Sequence, residues 1–215
     1  MFRDLSHRIE TGMPTFPGDP GVALSPAATI DEDGYRVHEL RCGSHTGTHV
    51  DAPSHTEPDG DDLDAAPIGE YVLEAVVVDT TGLEPRSPIP ESVVPDRLDA
   101  DVLLVRTGWD DHWGEESYAD HPYLSPSAAE RLVAAGCGVG VDALNPDPTP
   151  TARASDDEPS GFPVHGALLG AGLPIVENLT GLGTIPDRVT LYAFPLPLAN
   201  CDGAPVRAVA EFDDA

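Results

Sequence analysis

Apolar residues along this chain fall mostly in short runs and at alternate positions, the pattern of strands rather than of long helices. Stretches 35–42, 73–79, 102–107, 139–143 and 189–194 read as strands, with 206–212 the weakest match. The runs starting at Leu73 and at Val102 are almost continuously apolar, which is typical of strands buried on both faces. The clearest helix spans 126–135. Ser125 is a good N-cap, Pro126 suits the first helical position and Gly136 is a stop. Ala128, Leu132, Val133 and Ala135 give that helix its apolar side. A shorter helix is expected over 164–169, ended by Gly170 and Gly172. It is followed by a short strand, 173–176, leading to Glu177. The chain is therefore α/β, with more strand than helix.

Punctuation is dense, with 23 prolines and 21 glycines, so the connections are many and firmly turned. No internal repeat and no long linker interrupts the pattern, and residues 1–215 are expected to form a single domain with a full core. No run of about 18 apolar residues provides a membrane span. The first residues lack the apolar centre of a signal peptide. The cysteines, Cys42, Cys137 and Cys201, are odd in number and widely spaced, which favours free thiols in a reducing cytoplasm.

Charge narrows the partners. The formal net charge is -27, and all 11 basic residues are arginine. Acidic clusters at Asp31–Asp33, Asp59–Asp64, Asp110–Asp111, Asp156–Glu158 and Asp213–Asp214 are spread along apparent loops and the terminus. A functional acidic surface for a basic partner is one reading. The even spread and the missing lysine favour the other, adaptation to a high-salt cytoplasm, where the Debye length shrinks to about 3 Å at 1 M and self-repulsion matters little. Nucleic acid is excluded as a partner, because phosphate recognition needs a basic patch. A small-molecule substrate is expected instead.

The densest chemistry lies in Ser44-His45-Thr46-Gly47-Thr48-His49-Val50-Asp51-Ala52-Pro53-Ser54-His55. His45, His49, Asp51 and His55 share one parity and would face one way in an extended chain. Converging imidazoles and a carboxylate suit a divalent metal such as zinc or manganese. An extended segment would hold His45 and Asp51 roughly 20 Å apart at about 3.3 Å per residue, too far for one ion. The segment must bend, and Gly47 and Pro53 permit it. A helix would bring His45 and His49 together at i and i+4, but Gly47, the β-branched residues and Pro53 oppose it. An exposed polar loop with chance histidines is the competing account.

Three ligands leave an open position, which suits catalysis better than a closed structural site. Of the remaining histidines, His165 has the best context, near a helix start. Glu177 follows an apolar strand, and a buried carboxylate needs a partner. A solvent-satisfied His165 and a surface Glu177 remain equally open on this reasoning. Trp109 and Trp113 read as packing residues before pocket residues, Cys42 as a small buried residue at a strand end, and His112 and His121 as surface groups.

Residues 45–55 match the HxGTHxDxPxH signature of the cyclase family of metal-dependent hydrolases, which includes bacterial kynurenine formamidase and isatin hydrolase. Other segments resemble family elements in the same order: Asp4-Leu5-Ser6-His7, Met13 to Pro20, Arg106-Thr107-Gly108-Trp109, Gly140-Val141-Asp142-Ala143, and Asp202-Gly203-Ala204-Pro205-Val206-Arg207-Ala208. The likeness covers nearly the whole chain. It implies a swivelling β/β/α fold, a barrel-like mixed sheet with outer helices. It implies a homodimer or homotetramer in which N-terminal elements help form a neighbour's pocket.

By position, the resemblance implies that His45, His49 and Asp51 bind a first divalent ion, with Asp51 bridging. His165 and Glu177 would complete a second. The ion is expected to be Zn2+, with Mn2+ the alternative, at one or two per subunit; retention of His165 and Glu177 leans towards two. His55 is expected to act as general acid/base, the alternative being a further ligand. The implied reaction is hydrolysis of an aryl formamide or cyclic amide, most nameably N-formylkynurenine to kynurenine and formate. Such a metal lowers the pKa of water from roughly 15.7 towards about 7 and polarises the carbonyl, and an imidazole can carry the proton to the leaving nitrogen.

Two departures weaken the substrate assignment. Phe16, expected to bind substrate, stands where formamidases usually carry Trp, so the aromatic face persists without the indole donor. The motif also reads Gly-Thr-His, the broader family form, where kynurenine enzymes tend to read Gly-Ala-His. An isatin-, imide- or lactone-type substrate is the rival. A metal-binding protein without turnover is a further one, against which His55 argues, since a pure binder needs no proton shuttle.

Overall fold

The computed structural model describes residues 1–213 of the 215; Asp214, of the C-terminal acidic pair, lies outside the described residues. The elements in chain order are β1 (Phe2–Asp4), β2 (Ala23–Ala28), α1 (Ile30–Asp33), β3 (Val37–Arg41), β4 (His49–Asp51), β5 (Val72–Asp79), β6 (Pro88–Ile89), β7 (Val102–Arg106), β8 (Tyr123–Leu124), α2 (Pro126–Ala135), β9 (Gly138–Val141), α3 (Pro163–Gly170), β10 (Ile175–Glu177), β11 (Arg188–Tyr192), β12 (Gly203–Pro205) and β13 (Val209–Glu211). Short 3-10 turns fill several connections.

Nine strands form one curled mixed sheet in the order β1-β13-β11-β5-β7-β9-β10-β4-β12. Its centre, β5-β7-β9-β10, is parallel, and antiparallel strands flank it on both sides. This is the barrel-like mixed sheet with outer helices that the resemblance implied. The strands β2 and β3 form a separate hairpin. No helix among the described residues is long and apolar enough to cross a membrane.

The central strand β7 is buried on both faces, as its apolar run required, whereas β5 is buried only in part, with Val72 and Glu74 exposed and Val76–Val78 half-buried. Along β7, Val102 and Leu104 enter one core while Leu103 and Val105 enter the other, because side chains alternate across a strand. The second core is roofed by α2 and α3. In α2, Ser125 caps the N-terminus by accepting from the Ala128 N–H (3.2 Å), and Gly136 ends the helix. Ala128, Ala129 and Leu132 are its buried residues; burying Leu132 contributes roughly 2 kcal/mol. Ala135, expected on the apolar side, is the last residue of the helix and is exposed with its neighbours Ala134 and Gly136.

Some expectations are corrected. The stretch Asp31–Asp33 is not loop but the one-turn α1, capped by Thr29. The strand expected over 35–42 is the exposed β3, and Cys42 after it is half-buried rather than buried. In 206–212, Val206 makes only an isolated bridge with Pro195, and the strand starts at Val209. His121 is not a surface group. It is buried, with Nδ1 on the Pro122 carbonyl (2.9 Å) and Nε2 on Thr149 Oγ1 (2.9 Å).

Candidate metal centre

The predicted bend is at Gly47, whose φ of 62° lies in the left-handed region that disfavours a side chain. A Cβ there would also meet Met13 Cε at 2.9 Å. This turn swings His45 back over β4, so only His49 and Asp51 keep the strand parity that the sequence offered to all four residues. After β4, a 3-10 turn over Pro53–His55 carries His55 round to the same side.

Register then supplies the carboxylate. β10 runs antiparallel to β4 with Glu177 opposite His49 and Val176 opposite Val50. Val50 and Val176 point into the first core; His49, Asp51 and Glu177 leave the other face, beneath α3. His165 lies in the first turn of α3. Phe162 supplies no side-chain cap there. Asp147 does so instead: Oδ1 accepts from the Val164 N–H and Oδ2 from the His165 N–H, both at 3.0 Å.

All five expected ligands meet. His45 Nδ1 is 2.8 Å and His49 Nε2 3.3 Å from Asp51 Oδ1. His165 Nε2 is 3.6 Å from Asp51 Oδ2 and 3.0 Å from Glu177 Oε1, and His49 Nε2 is 3.2 Å from Glu177 Oε2. Asp51 thus gives one oxygen to each of two triads. Each imidazole is held by its outer nitrogen: His45 Nε2 on Asp202 Oδ2 (3.0 Å), His49 Nδ1 on the Gly47 carbonyl (2.8 Å), His165 Nδ1 on Asp147 Oδ2 (2.7 Å). With those nitrogens donating, the lone pairs of all three rings converge on the two carboxylates, the usual arrangement of histidines that bind metal.

The residues fit a divalent cation. His49 Nε2 and Asp51 Oδ2 are buried without a hydrogen-bond partner. Donor atoms on a tetrahedral ion with bonds of 2.0–2.1 Å stand about 3.3 Å apart, within the observed spread. Asp51 and Glu177 are nearly fully buried, and histidines are their only ion-pair partners among the described residues. Burial alone would lower the His165 pKa, yet hydrogen bonds to Asp147 and Glu177 hold it up to about 10. His49 is likewise raised against burial by Asp51 and Glu177. Burial would raise the Asp51 carboxyl, but His45 and His49 keep it well below the usual range. Two buried negative charges demand positive charge here, which protons on imidazoles or a bound cation can provide.

His55 stands at the rim. Its ring centroid is 4.0 Å from that of His45 and 5.7 Å from that of His165. Phe16 reaches the same side through Phe162: their rings are 6.0 Å apart, and Phe162 meets His165 edge-on at 5.7 Å. Trp109 packs in the core with its indole N–H on the Tyr118 carbonyl (3.0 Å), and Trp113 stacks on His7, as packing residues. His112 pairs with exposed Glu115. Asp147 and Phe162 carry no signal of their own in the sequence, and Asp202 stands out there only as part of the C-terminal element Asp202–Ala208. A helix start lacking its own cap was the available hint for Asp147.

Known proteins resemble this chain over nearly its whole length. The model of the putative cyclase family matches residues 3–148. The kynurenine formamidase of Salinibacter ruber is 34% identical over 214 residues, 96% of this chain and 95% of that protein. That of Maricaulis maris is 33% identical over 217 residues, with the same coverages. Among solved structures, isatin hydrolase A from Labrenzia aggregata superposes with a TM-score of 0.83 at 24% identity, covering 98% of this chain and 93% of that one; this is a likeness of fold. A potential metal-dependent hydrolase with cyclase activity gives 0.75 at 26% identity, covering 98% and 96%.

Proposed function

This chain belongs to the cyclase family, and on that premise we propose that it hydrolyses the carbon–nitrogen bond of an aryl formamide or cyclic amide with the help of a divalent metal. N-formylkynurenine is the leading substrate, giving kynurenine and formate. The observation that carries the reading is the convergence of three imidazole lone pairs on two buried carboxylates, with His49 Nε2 and Asp51 Oδ2 unpartnered. Full-length relatives named kynurenine formamidase support the substrate class.

His45, His49 and Asp51 would hold one ion; Asp51, His165 and Glu177 would hold a second. When bound, such an ion supplies Lewis acidity and a water acidified to near neutral pH. His55 takes a proton from the attacking water and delivers it to the amide nitrogen as the carbon–nitrogen bond breaks, so the amine leaves neutral. Phe16 and Phe162 offer an apolar wall for the aryl ring beside His165. Zinc is proposed before manganese, because three imidazoles and two carboxylates are borderline donors.

The whole chain is proposed to act as one hydrolase domain, in a cytoplasm rich in salt. A homo-oligomer is supported by the β2–β3 hairpin and its turn, where Leu24, Ile30, Tyr35, Val37 and Leu40 are exposed, more apolar surface than a lone hairpin needs. The second reading, an isatin-, imide- or lactone-type substrate, draws on Phe16 in place of the tryptophan usual in formamidases. Purified protein assayed with N-formylkynurenine beside isatin decides between them. The proposal expects kcat/KM to favour N-formylkynurenine; turnover of isatin alone would move the substrate to the cyclic class.

A further inference from the structure

We infer that Asp202 is a positioning residue that orients both His45 and His55, and so fixes which ring nitrogen each presents to the centre. The inference rests on the hydrolase reading for the role of His55, but not for the orientation of His45.

One oxygen serves both rings. Asp202 Oδ2 accepts from His45 Nε2 at 3.0 Å and from His55 Nδ1 at 3.1 Å, and Oδ1 accepts from Ser44 Oγ at 3.0 Å. A neutral imidazole has one N–H. If His45 Nε2 carries it, the Nδ1 lone pair is left facing Asp51 Oδ1. If His55 Nδ1 carries it, Nε2 is left as the basic atom. The same carboxylate therefore assigns Nδ1 of His45 to ligation and Nε2 of His55 to proton transfer.

The backbone around Asp202 is built for this placement. Its carbonyl accepts from the Ala52 N–H at 2.8 Å, tying it to the segment between Asp51 and His55. The next residue is Gly203, paired with Asp51, where a Cβ would stand 2.7 Å from His45 Cε1. The His45 ring sits close against a backbone that has no side chain to displace it. Asp202 itself is 41% exposed on its side chain, so its three donors, rather than burial, hold it in place. A role as a metal ligand is disfavoured, since direct hydrogen bonds to both rings already occupy Oδ2.

The test uses the full-length protein with Asp202→Asn and Asp202→Ala. Three quantities are read: Zn2+ affinity of the stripped protein against a chromophoric chelator, ring 15N shifts of labelled histidines, and kcat and KM for N-formylkynurenine. Asp202→Ala is expected to weaken zinc binding by about 10–100-fold, mix the tautomers of His45 and His55, and lower kcat far more than it changes KM. Asp202→Asn keeps an acceptor oxygen and is expected to recover most of the affinity. Unchanged affinity and unchanged tautomers in Asp202→Ala, with native circular dichroism, overturn the inference. Loss of one whole zinc equivalent in both variants also overturns it, by making Asp202 a ligand. A wild-type protein that binds zinc but leaves N-formylkynurenine intact defeats the substrate reading alone, and the affinity and tautomer measurements still decide the role of Asp202.

Discussion

Asp147 holds His165 at two points, accepting from its backbone N–H at 3.0 Å and from its ring Nδ1 at 2.7 Å with the same oxygen. One buried carboxylate thus starts helix α3 and aims the histidine that the helix carries.

Replacing Asp147 separates these duties. Asp147→Ala leaves two buried N–H groups of α3 and a ring nitrogen unsatisfied, at about 1–3 kcal/mol for each unpaired group. It is expected to weaken metal binding by about 10–100-fold. Asp147→Asn, still an acceptor, is expected to lose less of both. Urea unfolding and zinc titration check the pair.

Gly203→Ala is expected to disturb the centre more than the fold. The added Cβ would stand 2.7 Å from His45 Cε1 and 3.0 Å from the Val50 carbonyl oxygen. The sheet carbonyl cannot retreat, so the ring must. Strain of this kind costs about 1–3 kcal/mol. Activity is expected to fall at least tenfold while circular dichroism stays native.

Arg86 clasps the loop that carries Asp147. Its guanidinium is buried and donates to Glu158, to the Thr149 carbonyl (3.0 Å), to Thr151 Oγ1 (3.1 Å) and, at 3.4 Å, to Asp120. Without Arg86, Asp120 keeps Arg153 as a partner, but Glu158 is left charged and unpaired, and removing one partner of a buried ion pair costs about 3–5 kcal/mol. Arg86→Met is expected to lose that much in urea unfolding and to expose the 145–158 loop to proteolysis.

His121 makes stability depend on pH. Burial pushes its pKa down to about 4, only partly opposed by the Pro122 carbonyl, against 6.5 in an unfolded chain. Between those values the unfolded chain binds a proton that the folded protein refuses. The stabilisation is complete above about pH 6.5 and falls as pH drops towards 4, by up to ~1.4 kcal/mol per pH unit. His7, also lowered to about 4 by burial, acts in the same direction. Urea unfolding at constant salt from pH 7 to 4.5 is expected to show a shallower slope in His121→Gln than in the native chain.

What could be read from sequence follows from how far apart the interacting residues lie. Helix α2 was legible to the residue because Ser125, Pro126 and Gly136 are local signals. The cluster from His45 to His55 was legible because its members lie within eleven positions. Strands β2 and β12 were not, since Ala23–Ala28 and Gly203–Pro205 lack alternation and owe their form to partners elsewhere in the chain. Asp147 and Asp202 were hidden for the same reason: the first meets His165 across 18 residues and the second meets His45 across 157. His121 looked like a surface residue among acidic neighbours, and only its packing against Thr149 shows why it is buried.

The central claim is that the centre built on Asp51 performs metal-dependent hydrolysis. The most direct measurement is N-formylkynurenine turnover by the same protein sample before chelation, after chelation and dialysis, and after addition of Zn2+ or Mn2+. The account predicts loss of activity on stripping and its return at one or two equivalents of metal per chain. Full activity in protein verified to be metal-free would contradict it.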